Sequence, residues 1–133
     1  MNKNALWRQV LRNLITIDYT GGWLAGVVIL ALSGWLSWLY VLPFWFVMIS
    51  AVANLVYGTF SFSISRQVRR PVTLIATLAF ANIAWGVCCF LAAYFVFGIA
   101  SIYGLAHLVF EGLYVGGLGW LEWRERHNLC TPS

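Results

Sequence analysis

Charge is what this chain has least of. Of its 133 residues only 9% are charged, four of them acidic and eight basic. Soluble domains carry about 25% charged residues, so a water-soluble globular protein is excluded. A disordered chain is excluded as well, because that state needs low hydrophobicity and 62% of these residues are hydrophobic. Cysteine is scarce too: Cys88 and Cys89 are adjacent and Cys130 lies in the tail, which implies no disulfide framework. Segments of about ten residues alternating apolar and polar, the mark of a membrane β-barrel, are missing. So are a phosphate-binding glycine loop, a nucleophile elbow and an HExxH pair. No cofactor is called for, and haem held by two histidines is disfavoured because His107 is the only histidine inside an apolar stretch.

What the chain does have is apolar length. Charge-free runs cover Tyr19–Leu42, Phe44–Ser65, Val72–Phe97 and Ile99–Leu121, the last interrupted by His107 and Glu111. Each exceeds the roughly 20 residues needed to cross a bilayer as a helix. The expected fold is therefore all-α, a single integral membrane domain over 1–133: a four-helix bundle of two helical hairpins, with spans at 19–42, 44–65, 72–97 and 99–121. Pro43 suits the first turn of the second span, and Gly98 permits a tight reversal between the third and fourth. Residues 122–133 form a tail, where Glu122 and Arg126 at i, i+4 read as an exposed pair on an emerging helix end.

The basic residues give the expected orientation. Lys3, Arg8 and Arg12 precede the first span, Arg66, Arg69 and Arg70 fall between the second and third, and Arg124 and Arg126 follow the fourth. By the positive-inside rule both termini and the central connection face the cytoplasm, as in a bacterial inner membrane protein. Trp7, Trp23, Trp120 and Trp123 would belt the inner boundary, and Trp38 and Trp45 the outer one. Over residues 3–17, Leu6, Trp7, Val10, Leu11, Leu14 and Ile15 recur at helical spacing opposite Lys3, Arg8 and Arg12. That pattern predicts a short amphipathic helix lying on the inner leaflet, with Asp18 capping the turn into the first span. The partner implied by all of this is the lipid bilayer. Nucleic acid is not, because topology accounts for the positive charge.

A local repeat marks the candidate site. Ala51-Val-Ala-Asn54-Leu-Val-Tyr57-Gly58 in the second span matches Ala79-Phe-Ala-Asn82-Ile-Ala-Trp85-Gly86 in the third, and Glu111-Gly-Leu-Tyr114 is a looser version in the fourth. Positions i, i+3 and i+4 share a helix face, so each Asn, ring and Gly form one stripe. Asn54, Asn82 and Glu111 all fall near the middle of their spans. A carboxyl at that depth is costly unless paired, hydrated or neutral, and no Lys or Arg is near it in sequence. Glu111 is therefore expected to be protonated at rest and bonded to Asn54 or Asn82, or to line a wet cavity. His107, one turn away on the same face, could pass it a proton or help hold a cation. Cys88 and Cys89 fall at a similar depth to His107, which makes a soft-metal site conceivable.

The expected function is that of a small transporter- or channel-like membrane protein, with Glu111, His107, Asn54, Asn82, Tyr57, Trp85 and Tyr114 around a pocket for protons or a small cation. The rival expectation is an accessory or scaffold subunit whose polar layer only fixes helix register. A third, a membrane enzyme acting on lipid or quinone, has an acid and a histidine but no visible nucleophile. Gly22-x-x-x-Gly26, Ser33-x-x-x-Ser37 and Gly112-x-x-x-Gly116 allow close helix packing. They would pack span one on span four, or one subunit on another in a homo-oligomer or with a larger membrane-protein partner.

Overall fold

A computed structural model describes residues 2–130, apart from the side chains at positions 7, 8, 11 and 12. Among the described residues the chain is helical throughout, with no strand. The elements are α1 (Lys3–Arg12), α2 (Leu14–Ala31), α3 (Ser33–Tyr40), α4 (Phe44–Ser65), α5 (Val72–Phe95), α6 (Ile102–Arg124) and α7 (Arg126–Leu129). Three of them, α2, α4 and α5, are long and apolar enough to cross a membrane. α6 matches them in length but carries His107, Glu111, Glu122 and Arg124.

The first long helix starts earlier than the charge-free run. Asn13 departs from helical geometry (φ −96°, ψ 9°) and ends α1, and α2 begins at Leu14. Leu14 and Ile15, expected on the face of the surface helix, are instead 1% and 3% exposed in a core with Ile64, Ile75, Leu78, Leu118 and Leu129. The side chains of Trp7, Arg8, Leu11 and Arg12, which carry much of the amphipathic pattern, lie outside the described set. Between α2 and α3 only Leu32 deviates. Its N–H still bonds the Val28 carbonyl (3.0 Å) and its carbonyl still accepts from Leu36 (2.8 Å), so the two segments form one slightly distorted rod.

Two short turns at one end are tied together. The Ser101 hydroxyl donates to the Leu39 carbonyl (2.6 Å) and the Ser101 N–H to the Tyr40 carbonyl (2.9 Å). Gly98 has φ +84°, the left-handed conformation its lack of a Cβ permits. Val41, at φ 56°, adopts the left-handed region as a β-branched residue, which costs roughly 1–2 kcal/mol.

Packing is dense within α2–α4 and within α5–α6 and sparse between α4 and α5. The small residues explain the close pairs. A Cβ at Gly22 would lie 3.2 Å from both the Asn54 carbonyl and the Gly58 Cα, and one at Gly86 would lie 3.0 Å from the Gly112 carbonyl and 3.1 Å from the Gly116 Cα. Both glycine stripes thus serve helices of the same chain. Ser37 does not pack a helix; its hydroxyl donates to the Leu42 carbonyl at 2.6 Å and closes the turn.

Candidate functional site: two buried acid clusters

Three of the four acidic side chains lie in the interior. Glu111 is 9% exposed, Asp18 2% and Glu122 0%. They form two clusters, each built from the repeated Asn and aromatic residues.

The first cluster surrounds Glu111 on α6. Its Oε1 accepts from Asn54 Nδ2 of α4 at 2.8 Å and from Trp85 Nε1 of α5 at 2.9 Å. Its Oε2 lies 2.8 Å from Nε2 of His107, and the other ring nitrogen of that histidine, Nδ1, lies 3.0 Å from the hydroxyl of Tyr40. The spacing explains the pairing: residues i and i+4 on one helix are neighbours. The Nε2···Oε2 contact can carry one proton. With Nδ1 also protonated the pair is neutral whichever of the two atoms holds the shared proton; with Nδ1 bare and accepting from Tyr40, an Nε2–H imidazole beside the carboxylate leaves one negative charge.

The second cluster surrounds Asp18 on α2. Its Oδ2 accepts from the Tyr57 hydroxyl (2.8 Å) and the Ser61 hydroxyl (2.9 Å), both on α4. Asn82 Nδ2 of α5 donates to Asp18 Oδ1 (3.1 Å) and to Glu122 Oε2 of α6 (3.0 Å). Four helices therefore meet at one amide-bridged pair of carboxyls. Glu122 Oε1 is buried and accepts no hydrogen bond.

The repeat works by exchange. Asn54 of the first copy and Trp85 of the second hold Glu111, while Asn82 of the second and Tyr57 of the first hold Asp18. Between the clusters the sparse α4–α5 seam opens into a cavity of about 350 Å³, lined by those four residues with Phe60 and Val115 among its apolar walls. A second void, about 10 Å³ and so near the size of one water, lies beside Tyr40, Ser50 and His107.

Of the seven expected pocket residues, Glu111, His107, Asn54 and Trp85 come together. Asn82 and Tyr57 line the same cavity but bond to the second cluster. Tyr114 is 40% exposed and lies against Gly21 of α2, outside the hydrogen bonds of Glu111. Cys89 is buried and Cys88 exposed. Among the described residues no three or more His, Cys, Asp and Glu side chains group closely enough to hold a metal ion.

Two expectations are corrected. Asp18 does not cap α2; Asn13 occupies that position, and Asp18 lies inside the helix with its carboxyl turned to α4 and α5. Glu122 does not pair with Arg126 in solvent; it points into the core, while the Arg126 guanidinium donates to the Trp123 carbonyl and lies over the Trp123 ring. Both residues had a readable signal. Asp18, Gly22 and Gly26 follow one another at i+4, and Glu122 lies on the face of Glu111, Val115 and Leu118, because eleven residues return close to the same azimuth at 3.6 per turn. Tyr40 had none, since it reaches His107 from a different helix pair.

No protein-family model matches the chain, and no curated protein and no solved structure matches it.

Proposed function

We propose that the chain is a small four-span membrane protein of transporter or channel type, a bundle of two helical hairpins in which the Glu111–His107 pair takes up and releases a proton or small cation beside the α4–α5 cavity. The observation that carries this reading is a buried carboxyl that lies 2.8 Å from an imidazole and whose other two partners, Asn54 and Trp85, line a cavity of about 350 Å³. Intramembrane ionisable groups in such settings mark ion and proton paths. Release of the proton shared by Oε2 and Nε2 would leave one negative charge, still held by Asn54 and Trp85, and rebinding would restore neutrality.

The outer surface supports four spans. On α6 the acids face inward, while Ile102, Phe110 and Leu113 are 72%, 71% and 62% exposed. An exterior of this kind suits acyl chains better than water. With the basic residues at the termini and in the Arg66–Arg70 connection, the positive-inside rule puts that end in the cytoplasm of an inner membrane.

The test is proton flux. In vesicles carrying a trapped pH-sensitive dye, the reconstituted wild type should dissipate an imposed pH gradient, and Glu111→Gln should slow it at least tenfold; equal rates would refute the proposal. One observation favours the scaffold reading instead: both oxygens of Glu111 are already engaged within the chain. A larger protein co-purifying at fixed stoichiometry, with flux indifferent to Glu111, would establish that alternative.

A further inference from the structure

The cluster around Asp18 has no part in the flux proposal, yet it holds two of the chain's four acidic residues. Its charge does not balance as drawn. The ion pairs recorded between described side chains are His107–Glu111 and Arg124–Glu125, and neither of these involves Asp18 or Glu122. The groups facing the pair are the Tyr57 and Ser61 hydroxyls from α4 and the Asn82 amide from α5. Tyr114 of α6 lies against Gly21, one turn along α2. The core of Leu14, Ile15, Ile75, Leu78, Leu118 and Leu129, with Tyr19 and Tyr57 packed against it, contributes no formal charge.

Two carboxylates bridged by a single NH₂ group and removed from water repel each other and lose their hydration. One positive charge is needed, and the distribution of donors says which carboxyl receives it. Asp18 accepts three hydrogen bonds, from Tyr57, Ser61 and Asn82, as an ionised group would. Glu122 accepts one, and its Oε1 has no hydrogen-bond partner although the residue is 0% exposed. A buried carboxylate needs donors on both oxygens, and a neutral carboxyl needs fewer, so the poorer donor set marks Glu122 as the group that loses less by being neutral. The donor-rich surroundings of Asp18 also disfavour a bare metal cation, since the hydroxyl and amide hydrogens point at the oxygens that a cation would take.

We propose that Asp18 and Glu122 hold one proton between them at neutral pH, carried on Glu122, and form a second proton-binding site distinct from the Glu111–His107 pair. The chemistry is a single O–H bond: binding leaves the pair with one negative charge, and release to water leaves it with two. Tyr57 and Asn82 bond to Asp18 and also line the cavity, as do Asn54 and Trp85, which bond to Glu111.

The test reads the carboxyl groups themselves. Asp18 is the only Asp of the chain, and in a Glu111→Gln, Glu125→Gln background Glu122 is the only Glu. Infrared spectra of that full-length variant at neutral pH in sodium-free micelles should contain the C=O stretch of a protonated carboxyl. Carbon-13 labelling of glutamate should shift the band, labelling of aspartate should leave it in place, and adding sodium chloride at constant pH should not remove it. Glu122→Gln should abolish it. Absence of the band, a shift on labelling aspartate instead, or its loss on adding sodium would each overturn the proposal, the last in favour of an alkali cation. Should that variant fail to fold, glutamate-labelled wild type and its Glu122→Gln variant decide the matter: the wild type must show a sodium-insensitive protonated glutamate band of which Glu122→Gln loses a component, and identical bands in the two would overturn the proposal. None of these readings depends on the flux assay.

Discussion

The two acid clusters are made from the same parts and balanced differently. Each takes an Asn from one copy of the repeat and a ring from the other, but Glu111 faces an imidazole whereas Asp18 faces a second acid. An imidazole that takes up a proton can neutralise Glu111, whereas a single proton cannot neutralise two carboxylates. The contrast teaches that the Asn residues do different work. Asn54 is one of three partners of Glu111, so Glu111 survives without it. Among the described residues, Asn82 donates to both Asp18 and Glu122 and bridges them.

Replacing each Asn in turn gives the largest expected difference. Asn82→Leu leaves two buried carboxyls without their bridge and should cost on the order of 3–5 kcal/mol. Asn54→Leu, with Trp85 and His107 still in place, should cost about 1–2 kcal/mol. Unfolding in mixed micelles with a denaturing detergent reads both, and equal losses would erase the distinction.

Next comes Gly119, whose added Cβ would fall 2.8 Å from the Cβ of Asn82 and 2.7 Å from the Ala79 carbonyl. Gly119→Ala should destabilise by about 2 kcal/mol by pushing α6 off Asn82. Gly117→Ala, which meets nothing within 4 Å, should be neutral or slightly stabilising. The same unfolding assay separates them, and a large loss at Gly117 would argue against this helix pairing.

The two tyrosines extend the contrast at smaller scale. Tyr57→Phe removes a hydrogen bond to a buried carboxyl and should cost about 1.5–2 kcal/mol. Tyr40→Phe removes one from an imidazole nitrogen and should cost about 1 kcal/mol or less. The smallest effect belongs to the turn beside Tyr40. Val41→Gly relieves the left-handed strain of an exposed side chain and should raise stability by up to about 1 kcal/mol, read as a higher Tm. A lower Tm would show that the turn carries no such strain.

Much of this was legible in the residues. The apolar runs located the long helices, Pro43 and Gly98 marked their reversals, and the i, i+4 spacing joined His107 to Glu111. The repeat pointed to Asn54, Asn82, Tyr57 and Trp85 as a set, and all four line one cavity. The exchange between copies was not legible, because it depends on which helices lie side by side. Asp18 and Glu122 were misplaced for a simpler reason. Both flank a charge-free run, and the edge of such a run is not the edge of its helix. α2 begins five residues before Tyr19 and α6 runs three past Leu121, so each acid is carried inside by a helix that outlasts its apolar stretch. Facing direction, not distance from the end of the run, decided their burial.

The central claim is that Glu111 and His107 exchange a proton with the surroundings while remaining paired. Nitrogen-15 NMR of the ring nitrogens tests it most directly, since the chain has only two histidines and His127→Gln leaves His107 alone. The account predicts that the protonated ring nitrogen of His107 exchanges with solvent deuterium and that Glu111→Gln changes the chemical shifts of the ring nitrogens. A ring proton that never exchanges, with ring signals indifferent to Glu111→Gln, would contradict it.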